Sequence, residues 1–395
     1  MESEPKRILF LNSRSEYGGA DMGLLTIVQN LDQRRFTPLV VLPHPGPLVG
    51  ELEAAGARVI YLDLCRLERL ASPRDIWEFG RRFISSTIQL MRLIRRERAA
   101  LVYTNSSAIP VGALAARLSG IPNVWHIREI WTSPRWLTRT LYRYIALMAD
   151  RIITITYAVA VANFRDVGGK IRVIYDGVDR RRFENLAARA AGVRQQYDLR
   201  ESWPIVTSVA RMVPQKGLDT LVEAAHRLNE AGIRAYFCLA GDIPRTMYQS
   251  YKDALRRRIE AYHLEDSVRL LGWIEDVPAL LAASDVVVLA SAGPEGAGLI
   301  IPEAWLAGAP VVVPNHSGPL ELVRHGETGL HFRAGDADDL AAQIGALLAD
   351  AELRSRLAQA GRQVALTRHD AQANTTRLES VLDELLRPGR MPADD

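Results

Sequence analysis

PEGAGLIIPEAWLAGAPVVVP, residues 294–314, sets two glycines and two glutamates around an otherwise apolar run with a proline inside it. Gly296 and Gly298 suit a tight turn where the backbone passes close to something. Pro302 is tolerated in the first turn of a helix but not in its interior. The stretch therefore reads as a loop over 293–298, a helix from about Leu299 to Ala307 and a buried strand at Ala309–Val313. Glu295 then lies in the loop and Glu303 near the helix start, both beside exposed N–H groups and the positive end of a helix dipole. They are either acids that stabilise a helix or carboxylates that accept from a ligand, and the rest of the chain has to decide.

Working outward, short apolar strands alternate with helical patterns throughout, as in parallel sheets built from β–α units. The strands expected in the first half are Arg7–Leu11, Thr37–Leu42, Arg58–Tyr61, Leu101–Thr104, Asn123–His126, Arg151–Thr154 and Arg172–Ile174. In the second half they are Ile205–Val209, Tyr236–Leu239, Val268–Leu270, Val286–Leu289 and Pro310–Val313. A chain of 395 residues exceeds one ordinary core. The expected organisation is a first Rossmann-like domain over 1–180, a polar, Arg-rich linker over 181–204 and a second Rossmann-like domain over 205–365. A helix over 366–387 is read as packing back on the first domain, and a disordered tail as following over 388–395. Two such domains with parallel sheets would face each other across a cleft at the carboxyl ends of their strands, where open α/β sheets bind ligands.

The chemistry-bearing residues fall just after strands. SRSEYGGADMG follows the first one, and Gly18–Gly19 would let backbone N–H groups approach a phosphate at a helix start. A plain glycine turn is the competing reading, and the spacing of Gly18, Gly19 and Gly23 does not make a GxGxxG fingerprint. In ARMVPQKG, after Ile205–Val209, Arg211 and Lys216 bracket a short loop before a helix, a placement that favours a pyrophosphate. Alone, they also fit two surface bases. Set beside Glu295 and Glu303, they suggest a division of labour: cations and a helix start for phosphate, carboxylates for sugar hydroxyls. His126 ends the strand NVWH, where it either reaches a reacting sugar or is satisfied in the interface between the domains. His44, His226, His263, His325 and His369 read as surface or loop residues. Asp336 and Asp338 read as helix-capping acids, and no metal-binding constellation is visible.

The overall charge of +3 conceals an asymmetry. Residues 1–180 hold 25 Lys/Arg against 17 Asp/Glu, and the remainder 24 against 29, so a basic half precedes an acidic one. In the basic half, the segment 134–149 carries an apolar stripe of Leu137, Leu141, Ile145 and Met148. Arg135, Arg139 and Arg143 line another face, and Trp131 and Trp136 stand near its start. Such a helix either packs its stripe into its own domain or lies on an anionic membrane. No run approaches the roughly 18 apolar residues of a membrane span, and the amino-terminal residues do not read as a signal peptide. With only Cys65 and Cys238, no disulfide framework is expected, and Cys238 is expected to be a buried thiol. A cytoplasmic location is expected, at the inner membrane face if the basic surface meets lipid. The basic half lacks the aromatic-interleaved stripe of a nucleic-acid binder.

The order of a Gly-Gly loop, His126, Arg211-x4-Lys216-Gly217 and Glu295-x7-Glu303 resembles the retaining GT-B glycosyltransferases of family four, along nearly the whole chain. ADRIITIT at 149–156, YDGVD at 175–179 and the passage from Ser284 to Pro314 resemble that family's corresponding stretches. The resemblance implies that Glu295 accepts from donor-sugar hydroxyls and Glu303 from the nucleotide's ribose. Arg211 and Lys216 would neutralise the departing diphosphate, assisted by the backbone at Gly18, Gly19, Gly298, Leu299 and Ile300, with Glu321 also at the donor. His126 would sit near the transferred sugar, with no cofactor and no metal. The implied reaction moves a sugar from a nucleotide-sugar, UDP-linked first and GDP-mannose next, to a glycan or lipid-linked acceptor. Retention would follow from attack on the face that the diphosphate leaves, with domain closure excluding water. A GT-B nucleotide-sugar epimerase and a non-catalytic sugar-binding scaffold are the rival readings. Three positions depart from the family pattern. Ala297 replaces an aromatic, Ser317 the first glycine of GGxxE, and Ile127-Arg128-Glu129 follows His126 where many members read HD.

Overall fold

The computed structural model describes residues 4–67, 72–132, 134–164, 169–199, 202–243 and 246–387. The chain divides into two units, Met1–Gly177 with Ala371–Asp395, and Val178–Asp370. The tail from Pro388, expected to be disordered, lies outside the described residues.

The first unit is built on seven strands: β1 (Lys6–Leu11), β2 (Phe36–Leu42), β3 (Arg58–Tyr61), β4 (Leu101–Thr104), β5 (Asn123–Ile127), β6 (Arg151–Thr154) and β7 (Ile171–Val173). They pair in parallel in the order β3-β2-β1-β4-β5-β6-β7. Successive residues point to opposite faces, so Ile8, Phe10, Val40 and Leu42 join one buried cluster, and Leu9, Leu11, Leu39 and Val41 another. Because both faces are covered, these strands read in sequence as continuous apolar runs rather than alternating ones. The helices Gly19–Asn30 and Ala371–Leu386 cover the first face, the latter through Leu378, Val381, Leu382 and Leu385. Pro73–Glu97 and Val111–Leu118 cover the second through Leu90, Leu93, Val111 and Ala115. The long helix starts at a capping box in which Ser72 and Asp75 serve each other's backbone N–H at 3.2 and 2.8 Å.

The second unit holds β8 (Ile205–Val209), β9 (Tyr236–Ala240), β10 (Val268–Gly272), β11 (Val286–Val288), β12 (Val311–Pro314) and β13 (Leu330–Phe332), parallel in the order β10-β9-β8-β11-β12-β13. The opening stretch folds as a loop, a helix over Ile300–Ala307 and β12. Gly308, at φ +86°, stops that helix with a left-handed cap.

Three expectations need correction. The interval 181–204 does not behave as a linker. It forms a 3-10 turn at Arg180–Phe183 and helices at Leu186–Ala191 and Val193–Gln196, and Val193 and Leu199 enter the core beside Ile205, Tyr236 and Cys238. β13 went unforeseen because Leu-His-Phe is only three residues long with a polar middle. His369, expected at the surface, is 2% exposed and lies near Trp305.

Candidate functional site

In the second unit, the chain runs from β8 out to β9 and β10 and then resumes on the other side of β8 with β11. Such a reversal opens a crevice at the carboxyl ends of the two diverging strands. The loops that follow β8, β11 and β12 meet there. The Gln215 carbonyl accepts from the N–H groups of Ala292 and Gly293 at 3.1 and 3.3 Å, and Gly318 N–H donates to the Glu295 carbonyl at 3.0 Å. Glycine is required at two of these crossings. A Cβ on Gly217, already at φ +60°, would fall 2.1 Å from the Ala290 carbonyl oxygen, and one on Gly318 would fall 2.0 Å from that of Gly296.

This stitching brings Lys216 to Glu295. The Lys216 ammonium pairs with Glu295 Oε2, to which the Ser291 hydroxyl also donates at 3.0 Å. The two side chains are 20% and 18% exposed, so the pair is shielded without being sealed. Burial pushes the Glu295 carboxyl up, but Lys216, Ser291 and the charge of Arg211 outweigh it and hold the group below its ordinary value. Glu295 is therefore ionised at neutral pH, and Arg211 stands exposed nearby. Glu303, in the first turn of Ile300–Ala307, is shifted the other way. Burial raises its pKa, and Arg182 opposes that by donating to Oε1 at 3.1 Å.

Gly298, at φ +86°, turns the chain into that helix, with Leu299 at its cap and Ile300 as its first residue. Glu321 lies on the helix Ser317–Leu322 with Arg368 at 4.0 Å. Ser317 sits at φ +53°, a left-handed conformation that favours glycine. Sequence reasoning brought Arg211, Lys216 and Glu295 to one place and missed Ser291, Gln215 and Arg182. Ser291, four residues before Glu295 and just beyond a strand, carried a readable signal. Arg182, 121 residues from Glu303, carried none.

The first unit has its own reversal, between β1 and β4. The first residue beyond each of these strands is an asparagine, and Asn105 Nδ2 donates to Asn12 Oδ1 at 2.9 Å. Asn12 in turn donates to Asp21 at 2.8 Å, and the Arg128 Nε donates to Asn105 Oδ1 at 2.9 Å while the guanidinium pairs with Asp176. A Cβ on Gly23 would lie 2.4 Å from that guanidinium, so the glycine makes room for it. Gly18 caps and Gly19 opens the helix Gly19–Asn30 beside this network. His126 lies within β5, one residue before its end. Its ring is 2% exposed and shares a hydrogen bond with the Tyr103 hydroxyl. Burial and the Arg128 charge hold its pKa well below the ordinary value, so it is neutral at pH 7.

The helix at Arg135–Met148 buries Leu141, Tyr142 and Ile145 in its own unit and leaves Arg135, Arg139 and Arg143 exposed. Among the described residues no helix is long and apolar enough to cross a membrane. The side chain of Asp336 caps the helix Ala337–Ala349 through Asp339 N–H.

Residues 192–364 match the family described as Glycosyl transferases group 1, and residues 18–177 match a Glycosyl transferase 4-like domain. A lipopolysaccharide core biosynthesis glycosyltransferase, LpsE, of Rhizobium meliloti is 36% identical over 53% of this chain and 57% of its own length. A GDP-mannose-dependent alpha-(1-6)-phosphatidylinositol monomannoside mannosyltransferase of Mycobacterium tuberculosis is 30% identical over 70% of this chain and 74% of its own. Among solved structures, Anabaena Alr3699/HepE in complex with UDP and glucose superposes with a TM-score of 0.83 at 26% identity, covering 96% of this chain and 99% of that one.

Proposed function

The chain belongs to the glycosyl transferases group 1, with the GT-B architecture of two parallel-sheet Rossmann-like domains, and from that premise we propose that it transfers a hexose from a UDP-sugar to a glycan or lipid-linked acceptor with retention of anomeric configuration. The observation that carries this reading is the convergence of Arg211, Lys216, Ser291 and Glu295 at the β8–β11 reversal. There Arg211 and Lys216 would meet the diphosphate, and Glu295, ionised, would accept from the sugar hydroxyls. Glu303 would accept from the ribose, and the backbone at Gly298, Leu299 and Ile300 would face the phosphates. Glu321 is assigned to the donor as well. UDP is favoured because the structural neighbour was captured with UDP and glucose, and the GDP-mannose dependence of the mycobacterial relative makes GDP-mannose the second choice.

In this reading the acceptor hydroxyl bonds to the anomeric carbon as the bond to the diphosphate breaks, on one face, and the leaving phosphate takes the acceptor's proton. The two cations stabilise the diphosphate as its charge develops, so the reaction is proposed to be metal-independent. Neither Glu295 nor Glu303 is assigned as a nucleophile, because the first is held by Lys216 and the second by Arg182.

Calorimetric titration with UDP, GDP and ADP tests the site, with the tightest binder repeated on Glu303→Ala. Selective binding that weakens at least tenfold in the variant is expected. An absence of nucleotide binding, or a variant that binds as the parent does, would overturn the assignment. Arg211→Ala should lose most of its turnover with its stability kept, in buffer containing EDTA as in buffer without it.

A further inference from the structure

The helix Ile300–Ala307 reads IIPEAWLA, and Glu303 is the one charged residue in it. Every residue of that helix except Ala307 is buried. A carboxylate placed there costs stability unless a partner compensates it. Arg182 is that partner, donating from Nη1 to Oε1 at 3.1 Å. Oε2 has no partner among the described residues. A guanidinium can hold both oxygens of a carboxylate with two parallel bonds, but this one takes a single oxygen and leaves the other. Of the elements packed on the helix, Val277–Ala282 and β12 carry no charge, and Ala351–Arg368 brings Arg368 to Glu321 at 4.0 Å. Asp276, which caps Val277–Ala282, is paired with Arg189. Among the described residues, Arg182 is the charge that acts on the Glu303 carboxyl.

The turn that carries Arg182 is held together without its guanidinium. The Asp179 side chain accepts from Arg181 N–H at 3.0 Å, and the Asp179 carbonyl from Arg182 N–H at 3.2 Å. Arg189 donates to the carbonyls of Arg182 and Glu184 at 2.9 and 3.0 Å. Arg189 is itself anchored on Asp276, Nε to Oδ2 at 2.9 Å. Asp276, Arg189 and the Arg182 main chain thus form a fixed base from which one cation reaches one carboxylate. The Arg182 side chain is 34% and that of Glu303 11% exposed, so the pair is largely withdrawn from water.

We propose that Arg182 is a positioning residue for the donor's ribose: it fixes Glu303 through Oε1, leaves Oε2 to the ribose hydroxyls, and so makes the site prefer a ribonucleotide to its 2′-deoxy counterpart. The inference rests on the assignment of Glu303 to the ribose. An ionised carboxylate accepts from a hydroxyl more strongly than a protonated one does. Burial raises the pKa of Glu303 and Arg182 opposes that rise, so without the guanidinium the carboxyl keeps its proton to a higher pH. A pair that merely stapled the turn to the helix would change stability and leave the ligand preference alone.

UDP, 2′-deoxy-UDP and the corresponding guanine nucleotides are titrated calorimetrically into the full chain at pH 7 and pH 9, and into Arg182→Gln, Arg182→Lys and Glu303→Gln. The parent should favour the ribonucleotide at least tenfold at both pH values. Arg182→Gln should lose that preference to within threefold at pH 7 and regain it at pH 9, because alkali restores the charge that the guanidinium no longer secures. Arg182→Lys keeps a cation without the planar fork and should fall between the two at pH 7. Glu303→Gln should show no preference at either pH. Because Asp179 and Arg189 hold the turn, the urea midpoints of both Arg182 variants should stay near the parent's, and Arg182→Lys carries the same comparison should Arg182→Gln unfold. Arg182 variants that discriminate like the parent at pH 7, or that stay indiscriminate at pH 9, would overturn the inference and leave the donor assignment standing. A parent that binds no nucleotide, or a Glu303→Gln variant that keeps the preference, would overturn the donor assignment and the inference with it.

Discussion

Lys216 and Glu295 are 79 residues apart and meet only because the loops after β8 and β11 are stitched together, so their coupling measures whether the site is assembled. Removing one partner of a fully buried pair costs about 3–5 kcal/mol, and exposed pairs contribute about 0–1 kcal/mol. This pair is one-fifth exposed, and Ser291 and Arg211 remain to steady Glu295 when Lys216 is lost. A coupling energy of about 2 kcal/mol is the expected compromise. It is read from a double-mutant cycle with Lys216→Met, Glu295→Gln and the double variant, by urea unfolding at pH 7. The pH dependence fixes the sign. The folded pKa of Glu295 lies below its unfolded value, so its contribution is fully present above the unfolded pKa and fades as pH falls through the folded one. The gap between parent and Lys216→Met should therefore close in acid. If the two single effects add within about 0.5 kcal/mol at pH 7, or if the gap persists once Glu295 is protonated, the pair is not coupled and the assembly argument fails.

Ser317→Gly should stabilise the protein by about 0.5 kcal/mol, since relief of a left-handed backbone exceeds the entropy that glycine adds to the unfolded chain, checked by the urea midpoint. Glu303→Gln should leave stability at pH 7 unchanged or higher while nucleotide affinity falls at least tenfold. The folded pKa of Glu303 is raised, so its stabilising contribution belongs to acid and is lost as pH rises through that value, and the Arg182 left behind is one-third exposed and can hydrate. A clear loss of stability in that variant at pH 8 would contradict this. Burial pushes the thiol of Cys65 up to about 11 and that of Cys238 up to about 12, so neither should react with a disulfide reagent at pH 8 until denaturant is added. Gly23→Ala should cost about 2–3 kcal/mol by driving a methyl group into the Arg128 guanidinium.

The parallel sheets were legible because strands buried on both faces run mostly apolar, as Ile8–Leu11, Leu101–Tyr103 and Val311–Val313 do. The glycines of the 294–314 stretch were legible for a related reason, since a turn that starts a helix narrows the residues that fit. What stayed hidden was pairing across long separations. Nothing local marks Arg182 as the partner of Glu303, or Asn12 as that of Asn105. The polar, Arg-rich look of 181–204 hid Val193 and Leu199, two apolar residues that are enough to anchor the segment in the second core. His126 stayed undecided for another reason. A histidine near a strand's end is as apt to be enclosed as presented, and the residue that decides is Tyr103 on the neighbouring strand, which takes up its Nδ1.

Several residues at or beside the proposed donor site carry features that the packing of the second core does not require. Glu303 is a carboxylate whose surroundings resist its ionisation, and Ser317 holds a backbone shape that disfavours any side chain. Gly217 and Gly318 press main chain against main chain. None of these improves the fold, and the core formed by Val206, Leu221, Phe237 and Val288 would be complete without them. They gather at the ends of β8, β11 and β12. Buried charge and main chain packed against main chain at a strand reversal are what a preorganised ligand site requires. The same argument excludes Asp336, whose side chain caps its helix by accepting from Asp339 N–H.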